Sequence, residues 1–272
     1  MSNPRLPPET LDYIVDLLHD DPDALKACCL VSKSCVPRTR KHLFAEVGLL
    51  TEGHLKSWKK LFSDPSTSPA HFATTLHVGC AYAFTTADVE VGGWLTGFAH
   101  IVHFGVETLR EPHYEESAIS LALFRGFSRI VKSLRVIAVD LMNSLIFHFV
   151  LSSPLLRDLT VAGHSTLIDD ADLRPVLNPP LFTGSLELLI RGRMKTIVGR
   201  LLSIPGGIHF RELTLMWWHV EDLLSIMALV KECSHALESL TITCHSDGTS
   251  IRYLHSHGSL TSISRWIEAE LS

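Results

Sequence analysis

Charge is scarce in this 272-residue chain: Asp, Glu, Lys and Arg together make up 19% of it, and the formal net charge is −5. The basic residues form no stripe or patch, which argues against a nucleic-acid binder, because such a protein must offer clustered cations to phosphates. No apolar run approaches the roughly 18 residues needed to cross a bilayer, and the opening residues Met1 to Arg5 lack the apolar segment of a secretory signal. A soluble protein of the cytoplasm or nucleus, with no membrane partner, is therefore expected. The six cysteines (Cys28, Cys29, Cys35, Cys80, Cys233 and Cys244) follow no disulfide spacing, and several sit in apolar patterns where Cys acts as a small hydrophobe. Reduced thiols fit that compartment.

Catalytic signatures are also missing. No glycine-rich phosphate loop follows an early strand pattern, no Gly-x-Ser-x-Gly elbow occurs, and no Cys stands beside a His in a nucleophile motif. Among 16 histidines, His100 and His103 lie three apart in a strand-like stretch, which points them to opposite faces. His255 and His257 with Cys244-His245 form a conceivable zinc cluster, weighed against surface histidines in a polar loop. Asp169-Asp170-x-Asp172 and Glu115-Glu116 read as helix or loop starts, where carboxylates stabilise free backbone N–H groups. Gly92-Gly93 and Gly206-Gly207 read as turns. No catalytic, metal-binding or cofactor-binding residue is assigned.

What is present is 46% hydrophobic residues in two patterns. The first fills residues 6–44. Pro8 suits a first helical turn, where its missing N–H would be unpaired anyway. Leu11, Ile14, Val15 and Leu18 then mark one helical face. Asp21-Pro22-Asp23 starts a second helix through Leu25, Cys28, Cys29, Leu30 and Val31, with Asp21 as N-cap. Pro37 pushes Val36 out of the helical region and starts a third helix that ends near Leu43-Phe44. Three helices in about forty residues are close to the lower limit for an independent core, so a partner or adjoining domain must finish the burial.

The order Leu6-Pro7-x-Glu9, Ile14, Leu17-Leu18, Asp21-Pro22, Leu25, Leu30-Val31-Ser32-Lys33 and Leu43-Phe44 resembles an F-box, in the form common among mushroom-forming fungi. The resemblance implies three helices that bind the Skp-type adaptor of a cullin-RING ubiquitin ligase, through Leu6, Pro7, Ile14, Leu17, Leu18, Leu25, Leu30, Val31 and Phe44. Two positions depart from it. Cys35 stands where the family often has Trp, and Phe44 where its terminal aromatic is frequently Trp. The smaller Cys35 would bury less area against the adaptor.

The second pattern is apolar-x-x-apolar-x-apolar, the trace of a short strand with alternate side chains turned inward. It fits Ala73-Leu76-Val78, Ile101-Phe104-Val106, Leu134-Ile137-Val139, Leu156-Leu159-Val161, Ser185-Leu188-Ile190, Phe210-Leu213-Leu215 and Leu237-Leu240-Ile242. Their central residues stand roughly 22 to 33 apart, near the range of leucine-rich repeats, which this region resembles. Helices are expected between them at residues 117–127, 143–151, 194–204 and 220–236, with a capping helix at 259–272. The Asn or Cys that regular repeats place after each strand is absent: Ala81, Leu109, Met142, His164, Arg193, Trp218 and His245 stand there, so packing must hold the units together. Before them lie an expected strand at 45–50, a helix at 51–62 with Leu55, Trp58, Leu61 and Phe62 on one face, and a turn-rich loop at 63–69.

The expected architecture is α/β: a three-helix F-box at 4–50, a connecting helix and linker at 51–69, and an irregular leucine-rich-repeat solenoid at 70–272. The function it implies is non-enzymatic, a substrate receptor that holds a protein target near a ubiquitin-charged enzyme. In Trp217-Trp218-His219 one ring must face outward, which makes Trp218 and His219 candidate target contacts. The rival readings are a protein-interaction scaffold outside ubiquitylation and, with no residue to support it, a divergent small-molecule enzyme.

Overall fold

The computed structural model describes residues 6–64, 67–79, 94–108, 126–138, 149–165, 182–192, 194–217, 220–246 and 249–256. The chain divides into two compact units, Met1–Phe104 and Gly105–Ser272. Among the described residues no helix is long and apolar enough to cross a membrane.

In the first unit, α1 (Pro8–Leu17), α2 (Pro22–Val31) and α3 (Val36–Leu43) stand where the proline and aspartate signals place them. The Asp21 carboxylate accepts the N–H groups of Asp23 and Ala24 at 3.1 and 2.9 Å, closing the start of α2. Val36 is the first residue of α3 and not excluded from it, with Pro37 inside the first turn, where no intrahelical N–H is lost. Strand β1 (Glu46–Leu49) and α4 (Glu52–Leu61) follow, and the Thr51 hydroxyl caps α4 by accepting the His54 N–H at 3.2 Å. Leu55 and Trp58 are buried on α4, whereas Leu61 points to solvent, off the face its apolarity suggests.

Strand β1 pairs in parallel with β2 (Thr75–Val78), Val47 beside Leu76 and Leu49 beside Val78. The sheet of this unit therefore begins inside the segment assigned from sequence to the three-helix domain. Phe44-x-x-Val47-x-Leu49 is itself a strand triple of the repeating kind. The Phe44 ring lies 6.2 Å from Trp58 and 6.1 Å from Phe62, and Trp58 lies 5.5 Å from Phe98. The two Phe44 contacts are edge-to-face and tie the end of α3 to α4, while the Trp58 and Phe98 rings are tilted at 32°.

The second unit is an α/β arrangement of parallel strands in chain order: β4 (Ser133–Ala138), β5 (Asp158–Ser165), β6 (Ser185–Gly192), β7 (Glu212–Trp217) and β8 (Ser239–Ser246). Strand β3 (His103–Thr108) precedes them. Helix α5 (Lys195–Leu202) connects β6 to β7, and α6 (Leu223–Cys233) connects β7 to β8, both within the ranges expected. A last strand, β9 (Thr249–Ser256), runs antiparallel to β8, which the repeating pattern gave no reason to expect. The segments 117–125, 143–148 and 259–272 lie outside the described residues.

The register sorts the apolar residues into two buried rows. Leu134, Leu159, Leu186, Leu213 and Leu240 stand side by side, followed two residues on by Val136, Val161, Leu188, Leu215 and Ile242. From Leu159 onward each step is 27 residues. Two triples read from sequence are thereby corrected. The fourth strand uses Val131-Leu134-Val136, and Ile137 lies on the opposite face. In the sixth, Leu186 and not Leu188 matches Leu159, because an extra residue precedes the strand. Phe182, in the left-handed region at φ 40°, supplies the buried ring 5.1 Å from Phe210, and Gly184 then passes close to the Arg157 carbonyl, where a Cβ would stand 2.9 Å from the oxygen.

The strand starts are held by backbone and carboxylate groups. The carbonyl of Lys132 accepts both Arg157 and Asp158 N–H groups, that of Gly184 accepts Arg211 and Glu212, and that of Arg211 accepts Glu238 and Ser239. In the first unit the Ala45 carbonyl accepts Thr74 and Thr75 in the same way. At β6 the Asp158 carboxylate accepts the Ser185 N–H and hydroxyl at 2.8 and 3.0 Å. The buried Asp222, 27 residues after Lys195, accepts the N–H that begins α5. Gly206 and Gly207, at φ 91° and 75°, make the turn that follows α5.

Candidate docking surfaces

The three helices share a small core. Val15, Leu25 and Cys35 are buried, and Leu18, Cys28 and Leu43 pack partly against them. Cys35, at the position where the resembling family often carries Trp, faces this core, so its small side chain costs internal packing before it costs any interface. The buried Thr39 hydroxyl donates to the Cys35 carbonyl at 2.7 Å. Polar contacts tie α1 to α3. Asp16 accepts Arg38 Nε at 2.6 Å and also Arg38 Nη2, and His42 Nε2 lies 2.7 Å from the same carboxylate. Those partners hold the Asp16 carboxyl far below the usual range, the Arg38 hydrogen bond first and His42 second.

Nine residues carry the expectation of adaptor contact, and the helices sort them. Leu25 is 1% exposed and offers no free face, while Leu18 packs against the same core and stays half-buried. Phe44 belongs to the aromatic cluster with Trp58 and Phe62. Leu25 thus serves the helical core, whereas Leu18 and Phe44 are half-buried, each packed on one side within its own unit. Leu6, Pro7, Ile14, Leu17, Leu30 and Val31 remain outward. Leu30 and Val31, at the end of α2, are 89% and 83% exposed, an unusual state for two adjacent aliphatic side chains. Tyr13, 64% exposed beside Ile14 and Leu17 on α1, belongs with them, although its place in the helical pattern gave no signal.

A second surface is the outward face of β4 to β8. Its residues alternate with the buried rows, as the pleat requires. Next to the strand starts it is polar, with Asp158, Ser185 and Glu212, then Arg135, Thr160 and Glu187. Farther along the strands the row Ile137, Ala162, Leu189, Met216 and Thr243 is mostly apolar, and each of the five is half-buried. The Thr160 hydroxyl donates to Glu187 at 3.2 Å.

Trp218 and His219, the expected target contacts, lie outside the described residues, as do Asp169, Asp170, Asp172, Glu115, Glu116, Gly92, Gly93 and His257. His100 sits in a turn before β3 and is exposed, as is His103. Among the described residues no three His, Cys, Asp or Glu side chains gather where they could hold a metal ion. Burial pushes the Cys233 thiol up to about 11, which suits a packing role on α6. No protein-family model matches this chain, and no curated protein or solved structure is similar to it. The likeness to F-box chains rests on residues 6–44 alone.

Proposed function

We propose that this chain is the substrate receptor of a cullin-RING ubiquitin ligase. In this reading α1 to α3 are an F-box that docks a Skp-type adaptor, and the strands that follow form a leucine-rich-repeat-like solenoid that presents a face to a protein target. The chain then acts in the cytoplasm or nucleus. It needs no catalytic residue, since holding a target beside a ubiquitin-charged enzyme raises its effective concentration.

The observation that carries the reading is the pair Leu30-Val31, left almost fully exposed by helices whose own core is only a few side chains deep. Exposed aliphatic groups on an undersized core are what a docking partner would cover. The 27-residue step, the parallel pairing in chain order and the recurrent carbonyl at the starts of β5, β7 and β8 support the repeat half.

The test is co-purification of the full chain with a Skp-type adaptor, beside a Leu30→Ala/Val31→Ala variant. Truncating exposed side chains should leave stability within about 0.5 kcal/mol. Adaptor affinity should fall at least about tenfold, as expected when interface anchors are removed. A folded parent that does not bind would sink the ligase assignment and leave a scaffold outside ubiquitylation.

A further inference from the structure

The charges on the three helices are sorted by element. Helix α1 carries Glu9, Asp12 and Asp16 and no Lys or Arg, whereas α3 carries Arg38, Arg40, Lys41 and His42 and no carboxylate. Arg38 and His42 meet Asp16, Asp23 meets Lys26 at 2.9 Å, and Asp20 lies 3.1 Å from His19. Asp21 is taken up as the cap of α2. What remains exposed and outside any ion pair among the described residues is Glu9 and Asp12 on α1, and Lys33, Arg40 and Lys41 in the turn before α3 and on it. The next carboxylates along the chain do not meet these cations: Glu46 lies 3.4 Å from His77, and Glu52 lies 2.6 Å from Lys56.

Both sets flank exposed apolar side chains. Glu9, Tyr13 and Leu17 follow one another at four-residue steps along one stripe of α1, with Asp12 next to Tyr13. Lys33 follows the exposed pair Leu30-Val31 by two residues. Arg40 stands two residues from Arg38, about 200° round the helix, so it is turned away from Asp16 and toward solvent. Like charges without a counter-ion repel one another. They do so here on a chain whose net charge is −5, so the cationic surface at α3 runs against the chain's own average.

We infer that the adaptor meets α3 with carboxylates: its surface is an apolar groove that covers Leu30-Val31, rimmed with acidic side chains where Lys33, Arg40 and Lys41 stand and free of them where Glu9 and Asp12 stand. An apolar patch alone would let a partner dock in either sense. Charges of opposite sign at its two ends fix one orientation, and the cations speed encounter. The inference deepens the adaptor-binding half of the proposed function and rests on it. It involves no residue of the strands.

The test is the association rate of the full chain with a fluorescein-labelled Skp-type adaptor, followed by stopped-flow anisotropy from about 50 to about 500 mM NaCl. The rate should fall by at least about tenfold across that range. The net charge of −5, acting alone on an acidic partner, would instead make it rise as salt screens the repulsion. Lys33→Glu/Arg40→Glu/Lys41→Glu should slow association at low salt by at least about tenfold and change dissociation by less than about threefold. The milder Lys33→Gln/Arg40→Gln/Lys41→Gln variant should slow it less, in the same direction. Glu9→Gln/Asp12→Asn should speed it by no more than about threefold. Leu30→Ala/Val31→Ala acts the other way, on dissociation, and helical circular dichroism checks the fold of each variant. A rate that is flat or rises with salt, or cation variants as fast as the parent, would overturn the inference and leave the adaptor reading standing. So would capture of the chain by phosphatidylserine vesicles that the Glu variant abolishes, because the cations would then serve a membrane. A parent that binds no adaptor at any salt would overturn both.

Discussion

Helices α1 to α3 and strands β5 to β8 bury apolar side chains to very different depths. The helices gather three buried apolar residues, Val15, Leu25 and Cys35, and leave Leu30 and Val31 in solvent. The strands stack continuous rows, every member of which is at most 4% exposed, and α5 and α6 contribute Val198, Leu201, Ile226 and Leu229, which are fully buried. At about 25 cal/mol per Å² of apolar surface, each buried Leu is worth roughly 2 kcal/mol, so the rows stabilise themselves and the helical core has little to spare. The same residue types thus serve two ends. In the strands they complete a core, and in the helices part of the apolar set is held outside it.

One substitution made in both regions sharpens this contrast. Leu213 and Leu25 are each 1% exposed, so Leu→Ala leaves a comparable void, worth about 2–5 kcal/mol. Leu213→Ala should lower the main thermal transition of the sheet by that amount, because the rows on either side cannot close the gap. Leu25→Ala should instead melt α1 to α3 locally, with loss of helical circular dichroism and little change in the main transition. Equal shifts of one shared transition would break the contrast.

A smaller effect belongs to the Asp16 network. Its carboxyl is held well below its unfolded value near 4, so the stability it adds is present above about pH 4 and is lost as the solution is acidified toward the folded value. Asp16→Asn should therefore weaken the docking of α1 on α3 at neutral pH and flatten acid sensitivity below pH 4. The effect should be modest, because the Asp16 and Arg38 side chains are 34% and 35% exposed and solvent screens them. Helical circular dichroism followed from pH 7 to pH 2 in both proteins checks this.

Much of this architecture is legible in the residues, for local reasons. Pro8, Asp21-Pro22 and Thr51 mark helix starts because capping depends on a few adjacent groups. Strands with one polar face, such as β5 with Leu156, Leu159 and Val161 buried, are read correctly in register. Reading fails where both faces are apolar. Ile137 and Leu189 face outward yet imitate core residues, and this is the same feature that makes their face a candidate docking row. It fails again where Phe182 and Gly184 add a residue ahead of β6. Phe44 ends a helix and begins a strand triple, so its helical context hid its second role. The candidate adaptor surface was legible only as a set. Leu25 and Leu30 are alike in sequence, and only the packing of α1 against α3 separates the buried one from the exposed one.

The most direct measurement is amide hydrogen exchange on the full chain, alone and with a Skp-type adaptor. The account predicts slow exchange in β5 to β8 in both states, and fast exchange in α1 to α3 that slows strongly on adaptor binding, as expected of a core completed from outside. Helices as protected as the strands in the free chain, or unchanged by the adaptor, would contradict it.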